Sequence, residues 1–162
     1  MAKIPLLKKP VVKNILSALA VAFFGFILLN LAFMFDALFQ SAIMAIIKLF
    51  IPGDLFMQYP WLPLVMHALF VVVIGLISWL VFRSKLKVLF KAIYMTVPLA
   101  VVFVSIGMAL HQWPVISYLI GFLFGISLLY YFYRTKQPLL YYYTVVLVGI
   151  VLAIFSLLGG EI

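Results

Sequence analysis

Residues 62–82 read LPLVMHALFVVVIGLISWLVF and are followed by the basic stretch RSKLKVLFK at 83–91. The first stretch contains no Asp, Glu, Lys or Arg. It is long enough to cross a bilayer, because a hydrocarbon core about 30 Å thick requires about 20 apolar residues in a helix. The stretch therefore predicts a transmembrane helix that ends at a basic membrane surface.

The composition of the whole chain favours the same environment. Of its 162 residues, 69% are hydrophobic and 9% are charged, and the mean hydropathy is +1.37. Soluble domains carry about 25% charged residues, and membrane β-barrels alternate apolar and polar residues over segments of about ten. The sequence instead predicts an all-α fold, a polytopic α-helical transmembrane bundle that forms a single membrane domain over 1–162.

Five spans are predicted, at approximately 15–35, 62–82, 92–110, 115–133 and 139–158. Residues 1–14 form a basic N-terminal segment in which Pro5 and Pro10 disfavour a regular helix. The apolar run that follows is longer than the 7–15 residues or so of a signal-peptide core, and we expect it to remain as a membrane anchor.

Residues 36–50, DALFQSAIMAIIKLF, place Asp36, Gln40 and Lys48 in an apolar context. A full span would bury an acid and a lysine. An interfacial or re-entrant helix avoids this cost, and the sequence leaves these two alternatives open. We expect this segment to cap a pocket that opens to the outside.

The positive charges define the orientation. Ten of the eleven Lys and Arg residues fall in three regions, four at the N-terminus, four at 83–91 and two at 134–138. Five spans place all three regions on one side, and positive charge in short loops favours the cytosol. The prediction is a cytosolic N-terminus and an outside C-terminus, in a plasma or inner membrane.

A few polar residues near the outer side are candidates for function. Asp36, Gln40, His67 and His111 are the predicted ligand-binding residues, and Asp36, His67 and His111 are the candidates for a metal site or a proton relay. The alternative is structural: Asp36 and His111 lie in interfacial water, and His67 bonds to a neighbouring helix.

Two further groups are predicted to contact lipid or protein. Ser117, Gly121 and Gly125 form a row of small residues suited to close helix packing, within this chain or with a partner. The tyrosines at 130, 131, 133, 141, 142 and 143 are typical of an interfacial belt. Cations beside them are expected to bind anionic lipid headgroups on the cytosolic face; they are Arg83, Lys85, Lys87, Arg134 and Lys136.

No motif in the sequence indicates a particular enzymatic reaction. The chain has no cysteine, which excludes disulfides and thiolate sites, and no cofactor or nucleic acid is expected as a partner. The sequence favours a small permease or a membrane-embedded subunit of a transport or assembly complex that handles a small or lipidic substrate. It would act as a homo-oligomer or with other membrane subunits. The alternative is a membrane enzyme or a metal or proton site.

The orientation can be tested with reporters. A reporter fused after Ile162 is expected outside the cell, and one inserted at Ser84 inside, because the basic 83–91 region stays in the cytosol. Protease accessibility in intact cells measures both. The opposite result at either position would overturn the five-span arrangement.

Overall fold

The computed structural model describes residues 9–50, 59 and 61–157, and nearly all of them are helical. The five helices are α1 (Lys9–Phe50), α2 (Leu62–Arg83), α3 (Val88–Ala109), α4 (Pro114–Arg134) and α5 (Leu139–Leu157). Each is long and apolar enough to cross a membrane. The predicted all-α membrane bundle with five spans is therefore confirmed, and the last residue of the predicted fifth span, Leu158, lies outside the described residues.

Short connections join the last four helices, so each runs opposite to the next. We call the end that carries the connections 84–87 and 135–138 the inner end, which is cytosolic in the predicted orientation. The end that carries the connection 110–113 is the outer end. Within each helix the backbone hydrogen bonds are formed inside the helix itself, as a span in lipid requires.

Helix α3 forms the centre of the bundle. It contacts each of the other four helices, and its buried residues are Ala92, Met95, Thr96, Val97, Leu99, Ala100 and Val101. Helix α4 is at the opposite extreme, because only Gly121 and Phe132 are buried in it. Most of the surface of α4 therefore faces lipid.

An aromatic cluster closes the inner end of the bundle. The ring of Phe132 lies 5.8 Å from the rings of both Tyr141 and Tyr142, and Tyr141 is only 8% exposed. The predicted tyrosine belt is thus divided. Tyr130, Tyr131 and Tyr133 are exposed, while Tyr141 packs inside the bundle.

The structure differs from the prediction at 36–50. This segment is not a separate interfacial or re-entrant helix, because α1 continues through it without a break from Lys9 to Phe50. No proline or glycine lies between Gly25 and Pro52 to interrupt the helix. Asp36 is the residue whose burial would make a continuous helix costly, and in the structure it is buried against a histidine.

Helix α1 is consequently much longer than its neighbours. Its 42 residues correspond to about 63 Å at 1.5 Å per residue, roughly twice the hydrocarbon thickness. Such a helix must tilt or extend beyond the membrane. Its outer part packs along α2, where Ile43, Met44 and Ile47 contact Leu62 and Met66.

Two helix starts also differ from the prediction. Helix α1 includes Pro10, which falls in its first turn, where the missing N–H of proline costs nothing. Helix α3 begins at Val88 rather than near 92. It therefore contains Lys91, whose ammonium donates a hydrogen bond to the Phe82 carbonyl over 2.7 Å.

Helices α1 and α3 approach each other most closely at Gly25. A Cβ atom at this position would lie 2.6 Å from Cγ2 of Thr96, closer than carbon atoms can approach. The Thr96 hydroxyl donates to the Ile93 carbonyl over 2.8 Å, and its oxygen lies 3.3 Å from the Gly25 carbonyl oxygen. Glycine is required here because only a bare backbone fits against the threonine.

Replacing Gly25 should destabilise the bundle. We expect Gly25→Ala to lower the free energy of unfolding by about 1–3 kcal/mol, the usual cost of overpacking, since the β-branched Thr96 is stiff in a helix. Denaturant unfolding in detergent micelles measures the change.

Two further variants separate the clash from other effects. Thr96→Ser removes Cγ2 but keeps the hydroxyl, so Gly25→Ala should cost less in that background. Gly75→Ala is the matched control, because a Cβ there meets no atom within 4 Å. Equal effects at Gly25 and Gly75 would contradict the proposed close packing.

Candidate functional site

Two of the predicted polar residues meet in the outer half of the bundle. Asp36 on α1 and His67 on α2 are 8% and 5% exposed, and His67 Nδ1 lies 3.5 Å from Asp36 Oδ2. Gln40, one turn after Asp36, donates from Nε2 to Asp36 Oδ1 over 2.9 Å. The structure thus brings together three of the four residues predicted to bind a ligand.

A fourth polar residue, Ser105, connects this group to α3. His67 Nε2 lies 3.0 Å from Ser105 Oγ, and Ser105 Oγ donates to the Val101 carbonyl over 2.6 Å. A hydroxyl has one hydrogen, and the shorter contact uses it, so Ser105 accepts a hydrogen bond from His67 Nε2–H. We call Asp36, Gln40, His67 and Ser105 the polar cluster.

Aromatic rings lie beside the polar cluster. The ring of Phe70 is fully buried and lies 6.3 Å from the ring of His67 and 6.4 Å from that of Phe39. Among the described residues, no buried side-chain nitrogen or oxygen lacks a hydrogen-bond partner. The cluster is therefore satisfied internally, and it ties α1, α2 and α3 together.

His111 does not belong to this group. It is exposed at the outer end of α3, where its Nδ1 lies 3.1 Å from the Met108 carbonyl oxygen. Within the described part of the chain, no three metal-ligating residues lie close enough together to hold an ion. The site predicted from Asp36, His67 and His111 is therefore not assembled as a set of three.

A large cavity lies elsewhere, between α3, α4 and α5. It has a volume of about 1040 Å³ and mostly apolar walls, and we call it the outer crevice. All three helices contribute glycines to its lining, namely Gly107, Gly121, Gly125 and Gly149. At Gly149 an added Cβ would meet no atom within 4 Å, so the missing side chain leaves open space.

The polar groups of the outer crevice lie near its outer end. They are His111, Ser117, Tyr118 and Ser156, and the Tyr118 hydroxyl lies 2.6 Å from Ser156 Oγ, which joins α4 to α5. At the inner end, Phe132 packs against Tyr141 and Tyr142. Helix α4 is thus held against α5 at both ends, and the crevice lies between these two attachments.

The small-residue row of α4 faces this crevice. A Cβ on Gly121 would lie 3.5 Å from Cδ1 of Phe103 on α3, and one on Gly125 would lie 3.9 Å from its Cζ. Ser117 lines the same space. Of the two alternatives left open by the sequence, the structure shows a contact within the chain at Gly121, and the contact is with a ring rather than a backbone.

The segment 36–50 does not cap this cavity. No residue of α1 lines the outer crevice, so this cavity is not the expected pocket beneath 36–50, which stays a prediction. The reason is that residues 43–47 pack along α2 instead.

The cations predicted to contact lipid headgroups all lie at the inner end and are exposed. They are Arg83, Lys85, Lys87, Arg134 and Lys136. The guanidinium of Arg83 also lies 5.2 Å from the centre of the Trp79 ring, a cation–π geometry. Binding of headgroups by these residues stays a prediction.

Comparison with known proteins does not assign the chain to a family. No protein-family model matches the chain, and neither a curated protein nor a solved structure is significantly similar to it. Function must therefore be argued from the polar cluster and the crevice themselves.

Sequence reasoning missed both Ser105 and the outer crevice. A serine in a span is common and shows no partner in the sequence. The crevice depends on glycines of three helices facing one another, and only the α4 pair, Gly121 and Gly125, stood out by spacing. The sequence does not show which faces of the helices meet, and predicting the crevice requires that information.

The polar cluster should stabilise the bundle as a coupled unit. We expect Asp36→Ala to lower the free energy of unfolding by about 1–3 kcal/mol, because it removes the partner of the half-buried Gln40 amide and of the buried His67 ring. Denaturant unfolding in detergent micelles measures the loss. His111→Ala, at an exposed position, is the control and should change stability little.

A double variant tests whether the two residues act together. The costs of Asp36→Ala and His67→Ala should fail to add, by about 0.5–3 kcal/mol, as for residues in direct contact. Strictly additive costs would show that the pair does not interact in the membrane protein.

Proposed function

We propose that this protein is a small permease, or a membrane-embedded subunit of a transport or assembly complex, that binds a lipidic substrate in the outer crevice. The observation that carries the proposal is the cavity of about 1040 Å³ between α3, α4 and α5. Sites for small molecules commonly measure about 300–1,000 Å³ and have apolar walls with a few polar groups. The outer crevice has this size and composition.

The arrangement of polar groups favours an amphiphile. Tyr118 and Ser156 lie near the outer membrane surface, while Leu129 and Val145 line the deeper wall. A molecule with a polar head and a long apolar chain would match this order, with its head near Tyr118 and its chain along the glycines. A hydrophilic solute would find few partners along the deeper wall.

The attachment of α4 supports lateral entry from the lipid. Few residues of α4 are buried, and within the described residues one side-chain hydrogen bond joins its outer end to α5, between Tyr118 and Ser156. Separating these hydroxyls would open the crevice to the outer leaflet. The work of opening is small, since interhelical hydrogen bonds in membranes are worth about 0.6 kcal/mol on average.

A second candidate function rests on the contact between Asp36 and His67. This pair could serve a membrane-embedded enzyme or a metal or proton site on the non-cytosolic side, with His111 as a third member. Ionisable groups inside a span are often functional. Two observations make it the weaker candidate: His111 lies apart from the pair, and the buried polar atoms of the described residues already have partners.

Filling the crevice should displace its ligand. We expect the wild-type protein, extracted in mild detergent, to retain a lipid or another amphiphile that native mass spectrometry detects. Gly149→Leu places a side chain in the open space and should weaken retention about tenfold, equivalent to about 1.4 kcal/mol.

Gly75→Leu on α2 is the matched control, because both glycines face open space and only Gly149 lines the outer crevice. Equal retention by the two variants would contradict a ligand in the crevice. A stoichiometric metal in wild type that disappears in His67→Ala would instead favour the second candidate.

A further inference from the structure

A second, smaller cavity lies at the opposite end of the bundle. Helices α1 and α3 are closest at Gly25 and Thr96, and towards the inner end they leave a groove of about 330 Å³ between them. Its walls are apolar and include Ala20, Phe24 and Ile27 on α1 and Leu89, Phe90 and Ile93 on α3. We call it the inner groove.

The inner groove is open to the surrounding lipid. Phe24 and Phe90 on its rims are 52% and 54% exposed. The groove therefore presents a channel in which a hydrocarbon chain can contact both helices at once. A lipid chain held there would make more van der Waals contacts than one lying on a smooth helix surface.

Cations lie where the headgroup of such a lipid would be. Lys13 precedes Ala20 by seven residues, which is two helical turns and the same face of α1. Lys87 comes directly before α3, three residues from Phe90, and both lysines are exposed. Asp36 is the only acidic residue in the described part of the chain, and it lies in the outer half.

We propose that the inner groove binds one anionic phospholipid of the cytosolic leaflet. One acyl chain lies between α1 and α3, and the headgroup phosphate, which no choline cation neutralises, lies between Lys13 and Lys87. Each lysine near the surface attracts anionic lipid, while the apolar groove holds the chain. This site is separate from the outer crevice and does not depend on its ligand.

The experiment uses the whole protein in detergent exchanged with an equal mixture of phosphatidylglycerol and phosphatidylcholine that have the same chains. Native mass spectrometry then counts the bound lipids. We expect wild type to hold one phosphatidylglycerol in preference to phosphatidylcholine. The double variant Lys13→Gln/Lys87→Gln should lower this preference about thirtyfold, from the attraction of two lysines.

Lys48→Gln removes one exposed charge from the outer part of α1 and should keep the preference, whereas Lys13→Gln alone should lower it about fivefold. If Lys48→Gln and Lys13→Gln lower it equally, the binding is general attraction by charge and the proposed site is wrong. Ala20→Phe fills the groove and should also release the lipid, whereas Ala68→Phe, at an exposed position of α2, should not. Retention of the lipid by Ala20→Phe with an unchanged melting temperature would exclude the acyl chain from the groove.

Discussion

A carboxylic acid within a membrane span needs a partner, and the contact of Asp36 with His67 supplies it. The cost of an isolated charge in hydrocarbon is several kcal/mol or more, so this pair fixes the rotation of α1 relative to α2. Ser105 extends the constraint to α3 through the second ring nitrogen. Once these three helices are oriented, Gly25 of α1 faces Thr96 of α3. The ring of Phe70 lies beside His67 and is fully buried, so the pair sits against apolar side chains.

The two halves of the bundle are packed differently. Helices α1, α2 and α3 are joined by polar contacts and by the close approach at Gly25. Helix α4 buries little of its surface and contacts α5 chiefly at its ends. Glycine has opposite effects in these halves. At Gly25 the missing side chain allows backbone contact with a threonine, whereas at Gly149 it leaves space that no neighbour fills. A ligand that enters beside α4 would leave the polar cluster and the contact at Gly25 intact, because these lie on α1, α2 and α3.

Much of the fold was predictable from the sequence, because long apolar runs and the distribution of cations are direct consequences of the bilayer. Four of the five spans were located to within about one turn. The exception is the segment 36–50, which the sequence predicts as a separate helix because burying Asp36 alone is costly. Its partner is a histidine 31 positions later, and one sequence does not show that the two residues meet. The meeting of Asp36 with His67 followed from their similar depth. The outer crevice did not, since cavity volume depends on which faces of α3, α4 and α5 meet.

The two cavities differ in ways that follow from their depth. The outer crevice ends in neutral hydroxyls and one histidine, and the described residues near it carry no lysine or arginine. The inner groove has a smaller volume and lies towards the inner end, where most of the exposed cations are. The charge bias that orients a membrane protein therefore also differentiates its lipid contacts, because it places most cations at the inner end and none in the lining of the outer crevice. An amphiphile held at the outer end would be selected by shape and hydrogen bonding, and a phospholipid held at the inner end by charge. Replacing the glycines of the crevice would therefore change the selection of the amphiphile at the outer end but not that of the phospholipid at the inner end.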